Sequence, residues 1–418
     1  VSTMPHRRSR RGLFAAGLAV VSALAVAAPA SAAPAKVELT LPALTGHHQV
    51  GTTTLHLVDQ ARQDPWKPDR KREVMATVTY PSWFTAGTPR VPWMSEKMAP
   101  VVEAAAADPN FFGLPPGSVD WGSAQRDAHA NTPVDRWQGK RPVVLFSPGF
   151  GSPRELHAVL TDDLASRGYI VVSLSHTFES AAVEFPGGRV EPQLQLGNDP
   201  KTMKTAIDAR VADTRFLLDQ LTKLNQGANP DAEHRPLPLG LAGALDLSKV
   251  GMFGHSYGGF TAGETMVADR RIDAGVNLDG TMGYGFDGSY LPGEVVKRGL
   301  DRPFLLMGGG FGVEHTHLNP VDKTWGDFWG NQRGWKRDLL LKQGAHHSYS
   351  DLQAIVPQLA NLVPAERRAM FVGTVDATKA LTAERDYLDA FFALHLLGRD
   401  KHLFDGDSPR YPEIKFIA

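Results

Sequence analysis

Ser256 stands within Gly254-His255-Ser256-Tyr257-Gly258, after an apolar stretch ending at Phe253 and before a proline-free run of helix formers over 260–269. That is the build of a nucleophile elbow, a strand-to-helix turn that lifts a serine hydroxyl to where it can attack a carbonyl. Bulky neighbours would block so tight a turn, and Gly254 and Gly258 supply the room. With 41 glycines in 418 residues, a glycine turn with an incidental serine is the competing explanation. The placement at a strand-to-helix junction favours the chemical one.

A serine nucleophile needs a base and an acid to orient that base, and on this build they follow in the order serine, acid, histidine. Asp279 ends the apolar run Ala274–Leu278 and is followed by Gly280, which suits a carboxylate held on a tight turn. Its bland alternative is a turn cap. Gln343-Gly344-Ala345-His346-His347-Ser348 follows the last apolar run, so either adjacent histidine is placed to reach Ser256. His176, His315 and His317 are weaker candidates, because they come earlier than this order expects or lack the strand-end setting. A histidine pair also suggests a metal, yet no further ligand stands at a suitable spacing, and the reading calls for neither metal nor cofactor. For the oxyanion, the backbone N–H of Tyr257 is one expected donor. The second is the N–H of Phe150, in the glycine-bearing loop Ser147-Pro148-Gly149-Phe150-Gly151.

The elements that must carry these residues can be read from periodicity. Residues 51–59 and 73–81 tend to alternate apolar and polar and predict two antiparallel edge strands. Residues 142–147, 169–175, 247–253, 274–278, 303–307 and 337–342 are short and largely apolar, as strands buried on both faces are. Helices are expected over 154–167, 202–224, 260–269 and 376–397, the last with Asp376 as N-cap, and over 352–362 with a break at Pro357. Eight β-rich runs in this order, most of the later ones joined by helices, describe an α/β-hydrolase fold. Its expected form is a mostly parallel eight-stranded sheet flanked by helices, with the elbow after a central strand. Residues 82–141 form a long insertion between the early strands, with one helix over 96–108 and no clear strand; its aromatic residues predict order.

Lys plus Arg number 44 against 45 Asp plus Glu, which excludes the basic field that a nucleic-acid binder needs. Cysteine is absent, so thiol catalysis and cysteine metal ligation are excluded too. The chain opens with Arg7, Arg8, Arg10 and Arg11, an alanine-rich apolar run over 13–28, and Ala30-Ser31-Ala32. This predicts an export signal over 1–32, twin-arginine-like in Ser9-Arg10-Arg11-Gly12-Leu13-Phe14, and a single secreted domain over 33–418 of a bacterial protein.

Several segments together resemble the plasma-type platelet-activating factor acetylhydrolases and their bacterial lipase-like and esterase-like relatives. Val144-Leu145-Phe146-Ser147-Pro148-Gly149-Phe150-Gly151 is similar to that family's oxyanion strand and loop, and Asp163-Leu164-Ala165-Ser166-Arg167-Gly168-Tyr169-Ile170-Val171 to its next helix and strand. The elbow, the turn Leu278-Asp279-Gly280, and His346-His347-Ser348-Tyr349-Ser350-Asp351, of the form H-x-x-aromatic-x-D, complete the resemblance. It runs over 76–397 and selects His346 over His347 as the base. Pro148 departs from the histidine of mammalian members, 97–136 has no clear counterpart, and 201–236 differs in length and composition. The resemblance implies a metal-independent carboxylester hydrolase acting on short-acyl esters or phospholipid sn-2 esters through an acyl-enzyme, in transient contact with a lipid surface. Two rivals stand beside it: a secreted lipase or cutinase-type polyester hydrolase, and a non-catalytic binding protein on the same fold. The short spacing from Ser256 to Asp279 argues against the first, and the full set of catalytic residues against the second.

Overall fold

The computed structural model describes residues 35–285 and 289–418; the expected export signal over 1–32 lies outside them. The main sheet is built from β1 (Gln49–Gln63), β2 (Lys71–Ser82), β3 (Arg90–Pro92), β4 (Gln125–Ala130), β5 (Arg141–Ser147) and β6 (Ile170–Ser175). It continues with β7 (Leu245–His255), β8 (Ala274–Leu278), β9 (Phe304–Gly309), β10 (Lys336–Leu341) and β11 (Ile414–Phe416). Their order across the sheet is β11-β10-β9-β8-β7-β5-β6-β2-β1-β4-β3. From β10 to β6 every pairing is parallel, so the C-terminal ends of these strands share one rim.

The flanking helices include α1 (Ala99–Ala107), α2 (Ala158–Ser166), α3 (Pro200–Asn225), α4 (Tyr257–Ala268), α5 (Lys323–Asn331) and α6 (Ala377–Leu397). On one face, α3, α4 and α5 bury Ile207, Leu217, Phe260, Trp325 and Phe328 against Leu145, Val172, Met252 and Leu306. On the other, α2 and α6 bury Leu160, Leu164, Leu388 and Phe392 against Val144, Phe253, Val276 and Leu305. Neighbouring strand residues therefore point into two cores, and that is why these strands read as unbroken apolar runs. Asp376 caps α6, accepting from the N–H of Lys379 at 2.9 Å. The expected helix over 352–362 ends at Ile355 and tightens to a 3₁₀ turn over Val356–Leu359, at the proline.

All eight expected strands are present, and three short ones extend the sheet to eleven. β1 and β2 pair antiparallel as expected but are not at the edge, because β4 and β3 continue the sheet beyond them. The insertion thus contains strands the sequence did not announce. β4 reads Gln-Arg-Asp-Ala-His-Ala, with no apolar alternation, and β3 is three residues long with a proline. Trp93, Phe112 and Trp121 of the insertion are buried in a third cluster with Leu352, Ile355 and Leu359. Trp83 and Phe84 remain exposed.

Candidate active site

Strand β7 ends at His255 and α4 begins at Tyr257, so Ser256 occupies the single-residue junction between them. Its backbone is forced to φ 56°, ψ −126°, a conformation rare for a residue with a Cβ. The neighbours explain the two glycines. A Cβ on Gly254 would fall 2.1 Å from the carbonyl carbon of Gly258, and one on Gly258 would fall 1.9 Å from the oxygen of Ser147. The N–H of Ser256 donates to the carbonyl of Leu278 at 2.7 Å, which ties the elbow to the strand that carries Asp279.

Asp279 follows β8 with φ 57°. Asn277 clamps that turn from both sides: its Oδ1 accepts from the N–H of Gly280 at 2.9 Å and its Nδ2 donates to the Gly280 carbonyl at 2.7 Å. The carboxylate is buried and fully engaged. Oδ2 accepts from His346 Nδ1 at 2.6 Å, while Oδ1 accepts from the N–H of Gly309 at 2.8 Å and from His315 Nδ1 at 2.9 Å. Burial opposes its ionisation, but His315 and His346 outweigh that and hold the carboxyl well below the usual carboxylate range.

His346 opens a 3₁₀ turn, His346–Tyr349, beyond β10 and keeps 43% of its side chain exposed. His347 points elsewhere, stacking its ring on Phe371 at 5.7 Å. The elbow also holds the histidine loop directly, because His255 Nε2 donates to the backbone carbonyl of His346 at 2.8 Å. Asp351 anchors the far end of that loop. It accepts from the N–H groups of Ala158 and Val159, at the start of α2, both at 2.9 Å, and from Trp93 Nε1 at 2.8 Å.

The loop after β5 passes so close to the elbow that a Cβ on Gly149 would lie 3.2 Å from that of Ser256. Phe150 follows, with its ring edge-on to Tyr257 at 5.8 Å. Arg210 of α3 holds this loop from behind, donating to the carbonyls of Pro148 at 2.7 Å and Gly149 at 3.2 Å, and it is itself paired with buried Glu179. Tyr257 starts α4, so the positive end of that helix lies behind the serine.

The structure thus brings Ser256, Asp279, His346, Phe150 and Tyr257 to one rim of the sheet. The weaker histidine candidates sit behind it. His176 is buried between Ser147 Oγ and Asp213, each at 3.0 Å, and His317 bonds Asp338 at 2.7 Å. His315 touches the acid rather than the serine. Sequence reasoning assigned no role to Glu179 or Arg210, since neither lies in a motif with the residues it serves, nor to Asn277, whose one signal is its place beside the Asp279 turn. His255 had one signal, its place inside the elbow.

An open, mostly parallel sheet with helices on both faces and an elbow serine after a central strand defines the α/β-hydrolase fold. A solved ferulic acid esterase from Streptomyces cinnamoneus is similar to this chain with a TM-score of 0.71 at 33% identity, covering 91% of this chain and 100% of that one. The chain belongs to the family of platelet-activating factor acetylhydrolase, isoform II, whose model matches residues 35–396. A probable 1-alkyl-2-acetylglycerophosphocholine esterase from Arthroderma benhamiae is 29% identical over 66% of this chain and 66% of that protein. A platelet-activating factor acetylhydrolase from Cavia porcellus is 27% identical over 55% of this chain and 53% of that protein.

Proposed function

We propose that this chain is a carboxylic ester hydrolase using Ser256 as nucleophile, His346 as general base and Asp279 as the residue that orients it. The observation that carries this reading is the 2.6 Å hydrogen bond from His346 Nδ1 to Asp279, beside a serine held at φ 56° on an elbow. His346 Nε2 takes the proton of Ser256 Oγ as that oxygen attacks the ester carbonyl, and the N–H groups of Phe150 and Tyr257 hold the oxyanion. The imidazolium then gives its proton to the departing alcohol, which leaves an acyl-Ser256. Water attacks that ester with His346 again as base, releasing the carboxylic acid and restoring the serine. No step draws on a metal.

The substrates are short-acyl esters, including the sn-2 esters of phospholipids, as family membership and the fungal and Cavia porcellus relatives support. The protein is secreted, a reading supported by the basic and then apolar sequence over 7–32. A second substrate reading, hydroxycinnamoyl esters, is favoured by the likeness to the ferulic acid esterase. Rates on an alkyl ester chain-length series, an sn-2 acetyl phospholipid and a feruloyl ester separate the two. A maximum kcat/KM on acetyl to butyryl esters and the phospholipid is expected. A preference for the feruloyl ester would replace it with the second reading, and turnover of none of them would reject both.

A further inference from the structure

We propose that His315 is a positioning residue of this site: a doubly protonated imidazole, clamped between Asp279 and Asp322, that fixes the acid's carboxylate and offsets its charge. The proposal rests on the triad reading above. His315 reaches in from the loop after β9, with Nδ1 2.9 Å from Asp279 Oδ1 and Nε2 3.0 Å from Asp322 Oδ2. An ionised carboxylate only accepts, and a neutral imidazole has one N–H, so it would turn a lone pair towards one of the two oxygens. Two carboxylates on two ring nitrogens call for both protons.

The setting is built to hold this clamp. Asp322 is fixed as the N-cap of α5, its Oδ1 accepting from the N–H of Thr324 at 2.9 Å. The His315 ring stacks on Trp325 at 4.0 Å, and Trp325 Nε1 donates to the carbonyl of Gly280, next to the acid. Other charged groups on this side include Asp338 of β10, which already bonds His317, Asp327 with Tyr290 beyond Asp322, and the chain neighbours Glu314 and Lys323. Burial opposes a charge on His315, but Asp279 and Asp322 outweigh it, and its pKa is raised to about 10. Without this cation the carboxylates of Asp279 and half-buried Asp322 would face each other with their charges unopposed.

The test is the pH profile of kcat/KM for the wild type, His315→Gln and His315→Gln/Asp322→Asn. Removing the cation alone leaves the negative charge of Asp279 and Asp322 unopposed beside the base, which favours the protonated, inactive form of the site. The acid limb of His315→Gln is therefore expected to move up by ~1 pH unit. In the double variant a positive and a negative charge leave together, and the limb is expected to return towards the wild-type position. A slower His315→Gln enzyme with an unmoved limb would mean that His315 only packs, and would overturn the proposal. So would a double variant that stays shifted. On the wild-type protein, independent of whether a variant folds, ¹⁵N chemical shifts of His315 at pH 8 are expected to report both nitrogens protonated; a neutral ring overturns it. Phosphonate labelling separates the two claims. If Ser256 is labelled while the limb does not move, the triad stands and the clamp falls; if Ser256 of the wild type is not labelled, both fall.

Discussion

At the scale of single residues, two adjacent histidines meet different fates because one backbone turn aims their rings, edge-on at 5.3 Å, at different partners. His346 reaches Asp279, whereas His347 packs on Phe371 and has no carboxylate partner among the described residues. On the proposed mechanism, removing His346 deletes the base, and removing His347 deletes a packing contact. His346→Ala is expected to lower kcat by about 10⁶-fold, as losing the histidine of such a triad does. His347→Ala is expected to keep kcat within about tenfold. Steady-state kinetics on a short-acyl ester checks this, and equal losses would remove His346 from its role. Ser256, Asp279 and the histidine pair stood out in sequence as candidates because each lies at a strand end with its own local signature. The roles of His315 and Asp322 were not legible, since what they do depends on Asp279, 36 residues before His315, and on a loop whose path no periodicity encodes.

At the scale of elements, the site is held by ties between segments far apart in the chain. Asp351 joins the histidine loop to the start of α2 and to Trp93 of the insertion, supplying acceptors for two helix N–H groups that have no partner within the helix. It is 193 residues from Ala158, so no helix-capping pattern in the sequence could reveal it. Asp351→Ala takes its acceptor from the N–H of Val159 and leaves Ala158 and Trp93 with only the Glu155 carbonyl, and is expected to cost about 2 kcal/mol of stability. Asp351→Asn, which keeps an acceptor, is expected to cost less. Urea unfolding of the two variants tests the order. Arg210 has the same kind of duty towards the loop of Phe150, from 62 residues away. The long elements were read correctly because burial on both faces leaves unbroken apolar runs. β3 and β4 escaped because short strands half open to solvent do not.

At the scale of the whole molecule, buried histidines give stability a predictable dependence on pH. Burial holds His157 down to about 3, so it stays neutral when folded and takes up a proton near pH 6.5 when unfolded. The unfolded chain thus gains protons as pH falls below about 6.5, and stability drops there. His315 has the opposite sign. Its pKa is raised to about 10, so its contribution is complete below about pH 6.5 and is lost as pH rises through 10. Each group changes stability by up to about 1.4 kcal/mol per pH unit within its window. Tm is expected to peak near neutrality, and His315→Gln is expected to flatten the alkaline side; an unchanged alkaline slope would contradict the assignment of that slope to His315. The central claim, that an ester is cleaved by Ser256, is tested most directly by mass spectrometry after inactivation with a fluorophosphonate. The expected result is one adduct per chain, on Ser256, with esterase activity lost in proportion. Full inactivation with the adduct on another residue, or with Ser256 unmodified, would contradict it.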